Sequence, residues 1–261
     1  MRNASANPRR ILITGATGAI GSELAKGYAS PGIHLFLHGR RQDTLEQVAQ
    51  TCREQGAHVT LADIDLCNDE ALFAWLDTLC VPTPPDLVIA NAGINNHLGP
   101  KGEGERWEDV RALLDINLKA PMAMLNHLAK RMRQRGTGQL VLMSSLAAYH
   151  GLPITPSYSA SKAGIKAYGE ALRGWLAPFG VGVTVVMPGY VSSHMCHAMP
   201  GPKPFLWQPE RAARFIRRGI AGNRARISFP FPLNFGCWWL AVLPAALSQR
   251  LLKWFDYGEQ A

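Results

Sequence analysis

Cysteine is scarce and unpatterned in this sequence. Cys52, Cys67, Cys80, Cys196 and Cys237 are odd in number, widely scattered and never spaced C-x-x-C. That excludes a disulfide framework and leaves reduced thiols, as in a cytoplasm, as the simpler expectation. Acid is also in deficit, with 19 Asp and Glu against 27 Lys and Arg, a net charge of +8. The cations form no long run, and there is neither zinc-finger spacing nor an aromatic RNA-binding signature, so no nucleic-acid partner is expected. A basic balance still favours anionic ligands such as phosphorylated cofactors or acidic lipid. No uninterrupted apolar segment fits a membrane-spanning helix cleanly, and the polar, basic N-terminus lacks the long apolar stretch of a secretory signal. Repeats and low-complexity linkers are missing too. With 261 residues, 47% of them apolar, the chain can bury a substantial core in one large domain.

What is present is alternation. Short apolar runs at 11–14, 34–38, 58–62, 86–90, 139–143 and 182–187 read as buried strands. Between them, segments from 21 onward, 43–54, 69–79, about 107–133 and 158–179 carry helical spacing. That pattern predicts βαβ units, hence an α/β, doubly wound parallel sheet of about seven strands with helices on both faces. Ligands on such sheets sit at the carboxyl ends of the strands. The chemistry-bearing residues fall there: Thr14-Gly15, Gly39-Arg40, Asp65, Asn91 to Gly93, Ser144-Ser145 and Pro188-Gly189.

The first strand runs into Thr14, Gly15, Ala16, Thr17, Gly18, Ala19, Ile20 and Gly21. Glycines let backbone approach a ligand closely, and the following helix N-terminus offers free N–H groups to a pyrophosphate. Alone, such a turn is often only a turn. Here the segment resembles the T-G-x-x-x-G-x-G turn of the short-chain dehydrogenase/reductase family, and the resemblance extends in order from residue 10 to about 195. It implies a single Rossmann-like domain binding a nicotinamide cofactor. The middle glycine of the pattern is Ala19 here, which implies an adjusted loop rather than lost binding.

After the second strand comes His38-Gly39-Arg40-Arg41. Sites that prefer NAD place an acid here for the ribose 2′-hydroxyl. None is present, and Arg40 can pair with a 2′-phosphate, so NADP(H) is expected over NAD(H); the alternative is a solvated arginine pair at a helix start. By resemblance, Asp65 and Leu66 would meet the adenine, with Asp63 as the rival. Asn91 would steady the sheet edge, with Ala92 and Gly93 beside the cofactor ribose.

Tyr158 and Lys162 stand at i and i+4, on one helical face. Reducing a carbonyl needs a proton donor at its oxygen. A nearby ammonium lowers a phenol's pKa and makes it usable as acid or base. As a bare pair they would be an unremarkable surface Tyr and Lys. Ser145, however, lies 13 residues before Tyr158, the spacing of the family. The resemblance makes Ser145 the group that hydrogen-bonds the substrate oxygen (with Ser144 as the neighbouring alternative). It makes Lys162 the holder of the nicotinamide ribose, and Asn117 a fourth catalytic position that holds a relay water. For Asn117 a polar core cap is the competing reading. Pro188, Gly189, Val191 and Ser193 resemble the family's P-G-x-V-x-T, which implies contacts to the nicotinamide carboxamide.

Residues 190–210, rich in proline, read as a substrate-covering segment within a catalytic domain of 1–228. His194, Cys196 and His197 lack a convincing further ligand set, so no metal is expected. The stretch 229–249 carries no charge and holds Phe229, Phe231, Phe235, Trp238 and Trp239, with Arg250 and Lys253 after it. Three prolines interrupt it, which argues against a spanning helix. This extension, 229–261, would pack on the pocket, against a partner subunit, or on a membrane surface through 229–255. The expected activity is interconversion of a carbonyl and an alcohol on a small, lipophilic substrate, in a homodimer or homotetramer, cytoplasmic or peripheral at the inner face of a membrane. Two alternatives stand beside it: a catalytically silent NADP(H)-binding sensor or scaffold, and a sugar-nucleotide epimerase or dehydratase. The N-A-G turn and short length argue against the latter.

Overall fold

The computed structural model describes residues 7–99, 102–199 and 201–254. Pro200 of the expected covering segment and residues 255–261 of the C-terminal extension lie outside the described residues. Seven strands form one sheet in the order β3-β2-β1-β4-β5-β6-β7. They are β1 (Arg10–Thr14), β2 (His34–His38), β3 (His58–Ala62), β4 (Leu87–Ala90), β5 (Gly138–Met143), β6 (Val181–Pro188) and β7 (Arg226–Phe229). All pairings are parallel, and Ile13 stands in register with both Leu37 and Ile89.

The strands are apolar on both sides because both sides are covered. Successive residues point to opposite faces. Ile11 and Ile13 of β1 therefore join one core, with α1 (Ala19–Tyr28), α2 (Gln42–Glu54) and α8 (Pro209–Ala221). Leu12 joins the other, against α3 (Asp69–Leu79), α5 (Ala120–Arg135) and α6 (Pro156–Leu176). The expected doubly wound sheet is thus the observed one.

One expectation needs correction. The helix expected over about 107–133 is not continuous. It is α4 (Trp107–Leu114), one π-helical turn over Asp115–Lys119, and then α5. Pro121 supplies the reason. Proline has no N–H and its ring clashes with the carbonyl four residues back, here that of Asn117. The chain widens instead, and the Ala120 N–H reaches the Asp115 carbonyl. A π turn of this kind commonly marks a functional position, and this one carries Asn117.

The chain beyond β6 passes along the cleft through α7 (His194–Ala198), is bridged between Val191 and Trp207, and then returns to the sheet face as α8, against α1. β7 takes in Phe229, one residue beyond the boundary set at 228, and the buried Phe229 ring stacks on Trp207 at 4.8 Å. Two short helices follow, α9 (Leu233–Val242) and α10 (Ala245–Trp254). Leu233 and Cys237 of α9 pack on Leu146, Val185 and Met187. Among the described residues no helix is long and apolar enough to cross a membrane.

Leu140, fully buried in the interior strand β5, tests this core. Leu140→Ala should lower unfolding stability by about 3 kcal/mol, read from urea denaturation, with the sheet's circular dichroism retained.

Candidate active site

The carboxyl ends of the strands open on a cleft of about 1600 Å³. Its location follows from topology. The chain winds outward from β1 through β2 to β3, returns to β4 on the other side of β1, and winds outward again. The loops after β1 and β4 therefore part, and a crevice opens between them.

Packing of backbone on backbone builds the floor of that crevice. The Asn91 side chain donates to the carbonyls of Thr14 and Gly15, both at 3.1 Å. The Thr14 hydroxyl accepts from the N–H groups of Asn91 at 3.1 Å and Ala92 at 3.2 Å. A Cβ on Gly15 would stand 2.8 Å from the Ala92 Cα and require a side chain at φ +66°; one on Gly21 would stand 2.2 Å from the Gly15 carbonyl oxygen. These glycines are needed for the turn itself. Ala19 is different. It is the first residue of α1, whose N-cap is Gly18, and helical backbone does not require glycine. The departure at this position thus falls where a methyl group is compatible with the loop.

The cleft is lined by Gly15, Thr17, Gly18, Ala19 and Ile20 at the glycine turn, and by Arg40, Asp65 and Leu66 beyond β2 and β3. Asn91, Ala92 and Gly93 line it after β4, Ser145 after β5, Tyr158 and Lys162 on α6, and Pro188, Gly189, Val191 and Ser193 after β6. Three of the anticipated residues stand behind the lining. Thr14 and Gly21 hold the turn in place, and Asn117 lies buried beneath it. Asp63, the rival to Asp65, is outside the lining and accepts from Gln42 at 2.6 Å. Arg40 is exposed on the rim. Arg41, not singled out from sequence, folds its guanidinium back onto the Thr17 carbonyl, and Gly39 leaves room for the Thr17 side chain, which a Cβ would meet at 2.6 Å. These contacts brace the phosphate turn against the second strand.

On the catalytic side, Ser144 and Ser145 divide their tasks. The Ser144 hydroxyl is buried and donates to the Lys162 carbonyl at 2.7 Å, tying β5 to α6. The Ser145 hydroxyl accepts from the Ala147 N–H at 3.2 Å and has only a long 3.5 Å contact to the Pro188 carbonyl for its proton. It remains able to donate into the cleft. The N-terminus of α6 is held by Glu105, whose carboxylate accepts from the Ser157 N–H and hydroxyl. A carboxylate is favoured at a helix start, and this one fixes the residue next to Tyr158.

Lys162 is buried, and its ammonium donates to the Met143 carbonyl at 3.1 Å. It lies 5.5 Å from the centre of the Tyr158 ring. Burial pushes its pKa down from the ordinary lysine value to about 8. Asn117 donates to the Ile94 carbonyl and accepts from the Ile94 N–H, both at 2.8 Å, and donates to the Ser161 hydroxyl at 3.3 Å. Its side chain is spent on that strap, so the water-holding role implied by resemblance would fall to its main chain. A Cβ on Gly93 would meet the Asn117 oxygen at 2.9 Å and the Lys162 nitrogen at 3.4 Å. The strap, the lysine and the glycine are fitted together.

Among the described residues no three His, Cys, Asp or Glu side chains group as metal ligands. His197 pairs with the Ser192 hydroxyl at 3.0 Å. The sheet, the glycine cradle at its crevice, and a tyrosine, lysine and serine facing the same cleft define a nicotinamide-dependent oxidoreductase. The family model described as short chain dehydrogenase matches residues 9–201, and the chain belongs to that family. It is 34% identical over 240 residues to an uncharacterized oxidoreductase of Myxococcus xanthus, covering 92% of this chain and 94% of that one. It is 32% identical over 255 residues to the 11-beta-hydroxysteroid dehydrogenase-like 3 protein of Arabidopsis thaliana, covering 95% and 79%. In fold it is similar to a short-chain dehydrogenase from Sphingobium yanoikuyae solved in complex with NADPH, with a TM-score of 0.78, 23% identity and 96% of each chain covered.

Lys162 supplies a test through pH. A lysine whose folded pKa is depressed binds fewer protons than the unfolded chain between about 8 and its ordinary value of 10.5, so stability from this group rises with pH across that window. The stability of Lys162→Met relative to the native chain should therefore fall by on the order of 3 kcal/mol between pH 8 and 10.5, measured by denaturant unfolding. A difference that stays flat would contradict a charged, desolvated lysine.

Proposed function

We propose that the chain is an NADP(H)-dependent oxidoreductase that interconverts a carbonyl and an alcohol on a bulky, lipophilic small molecule, with Tyr158 as acid and base. The observation that carries the reading is the convergence of Tyr158, Ser145 and Lys162 on one cleft, with Lys162 5.5 Å from the phenol ring. The bound nicotinamide supplies or accepts the hydride. For reduction, Tyr158 gives its hydroxyl proton to the carbonyl oxygen while Ser145 donates a hydrogen bond to the same oxygen and orients it. Charge that develops on that oxygen is stabilised as the proton arrives. The Lys162 ammonium lowers the cost of the phenolate left behind. With its pKa near 8 it remains largely protonated at neutral pH. Asn117 holds the Ile94 strap, and hence Gly93, beside Lys162, which would hold the ribose of the bound cofactor. For oxidation the proton runs the other way.

NADP(H) is favoured by the lack of an acid after β2, where Gly39 stands, and by Arg40 on the rim beside it. A guanidinium there suits a 2′-phosphate. The lipophilic substrate is favoured by the far half of the cleft, walled by Leu146, Leu152, Met195, Leu233 and Leu240. The steroid named for the Arabidopsis relative is a molecule of that character. Pairing into a homodimer or homotetramer through the surfaces of α5 and α6 completes the reading; exposed Trp175 on α6 is available for it.

Steady NADPH oxidation should be seen with a panel of bulky apolar ketones. Tyr158→Phe should lower kcat about 10³-fold while NADPH affinity, read by fluorescence titration, changes little. Tight NADPH binding with no turnover on any carbonyl would point to the sensor instead. Separately, Arg40→Asp should shift the ratio of kcat/KM for NADPH over NADH downward by tenfold or more.

A further inference from the structure

The helix α9 has two apolar stripes rather than one. Leu233, Gly236, Cys237 and Leu240, at helical spacing, face the cleft. Phe235, Trp238, Trp239 and Val242, at the same spacing on the other side, are 51%, 41%, 45% and 52% exposed. No residue of α9 is buried. A helix apolar all round is ordinarily enclosed, so this one lacks a covering on its outer side. Phe235 and Trp239 also line the cleft, which places the aromatic stripe at its mouth. The three rings already pack on one another, with centroid separations of 5.4 to 6.0 Å.

Charge selects among the possible coverings. From Arg211 through Trp254 the chain contains no Asp or Glu. On α10, Leu247, Arg250 and Trp254 form an exposed stripe with Lys253 beside it, and Trp254 is 77% exposed. Tryptophans and leucines interleaved with cations match an anionic lipid surface, where indoles settle at headgroup depth and cations meet phosphate. Arg250 and Lys253 are the sole charged side chains on α9 and α10, whereas a protein partner would call for a mixed polar rim. A protein seated over the mouth would also close the cleft, while a lipid surface would present apolar molecules to it.

We propose that the outer stripe of α9 and the exposed stripe of α10 seat the protein on an anionic lipid surface, with the mouth of the cleft turned toward the lipid from which its substrate is drawn. The choice of substrate source rests on the carbonyl-reductase reading; the surface contact does not. The probe is flotation of the full chain with vesicles of phosphatidylglycerol and phosphatidylcholine, compared with phosphatidylcholine alone, in the absence of substrate. The protein should float with the anionic vesicles, less so at 0.5 M salt (about a 4 Å screening length). Trp238→Ser combined with Val242→Ser should lower the bound fraction tenfold or more. Arg250→Gln and Lys253→Gln should each lower it roughly fivefold, and the two together should remove the salt dependence. These side chains lie outside the reacting centre, so turnover of a water-soluble ketone should be unchanged, which also shows that the variants fold. No flotation of the native chain, or flotation unaffected by both sets of substitutions, overturns the proposal. If the native chain does not float and Trp238→Ser instead dissociates an oligomer in sedimentation, the stripe is an interface between copies. Because flotation is read without turnover, its failure leaves the catalytic reading standing, and the reverse holds as well.

Discussion

The contact on which the site depends is the meeting of two backbone turns, after β1 and after β4, laced together by the Asn91 side chain and the Thr14 hydroxyl. Gly15, Gly21 and Ala92 approach so closely that a single added methyl group would collide with main chain. The strand order places these two turns side by side and sends their chains to opposite flanks of the sheet. Everything chemical is then measured from that floor. Asn91 fixes it with two hydrogen bonds, Thr14 with two more, and the next residues, Ala92 to Ile94, carry the floor toward Asn117 and Lys162. A shift of the crevice would press on the lysine, because Gly93 leaves so little room that a Cβ there would meet both the Asn117 oxygen and the Lys162 nitrogen. This explains why positions 77 residues apart, such as Thr14 and Asn91, behave as one unit.

Much of this is legible in the sequence, for a physical reason. Buried parallel strands must be apolar on both faces, so they stand out as short apolar runs, and the polar or glycine residues that end them mark the rim. Tyr158 and Lys162 are legible because i and i+4 share a helical face whatever the fold. Ser145 becomes legible only through its spacing to Tyr158. The interruption at 115–119 is a different case. Pro121 is a visible signal that the helix cannot run through unchanged, yet the apolar periodicity on either side hides it. The outcome is a π turn rather than a break, and the helical run continues through it from Trp107 to Arg135.

Other features leave no local trace. Glu105 meets Ser157 across 52 residues of sequence, and nothing in either neighbourhood indicates the pairing. The Arg40-Arg41 doublet is visible, but which arginine turns to the rim and which braces the Thr17 carbonyl depends on the start of α2 and on the space left by Gly39. The chargeless stretch after β7 is plain in composition. Its division into an inner and an outer stripe is not, because an apolar helix has no polar face to give its orientation away. Only the position of Leu146, Val185 and Met187 decides which side of α9 turns inward.

The two ends of the cleft obey opposite electrostatic demands, and the fold meets them with different materials. The nucleotide end must stabilise negative charge, and it does so with oriented N–H groups at the start of α1 and with exposed arginines that stay hydrated until a ligand arrives. The reacting end must hold a proton donor and a lysine whose charge is useful because it is poorly solvated. Burial of Lys162 lowers its pKa to about 8, which is a cost to the empty enzyme. The same exclusion of water strengthens each hydrogen bond made to a substrate oxygen. Apolar walls contributed by α9 and α10 extend that exclusion outward from the lysine. An open, polar wall in their place would let water reach Lys162 and Tyr158 and would weaken the field that couples them. The C-terminal helices therefore bound the cleft on its apolar side. Leu233 and Leu240 make the far side of the cleft apolar, and Lys162 is enclosed by its own surroundings, so the wall of the cleft and the environment that depresses the lysine are alike in being poor in water.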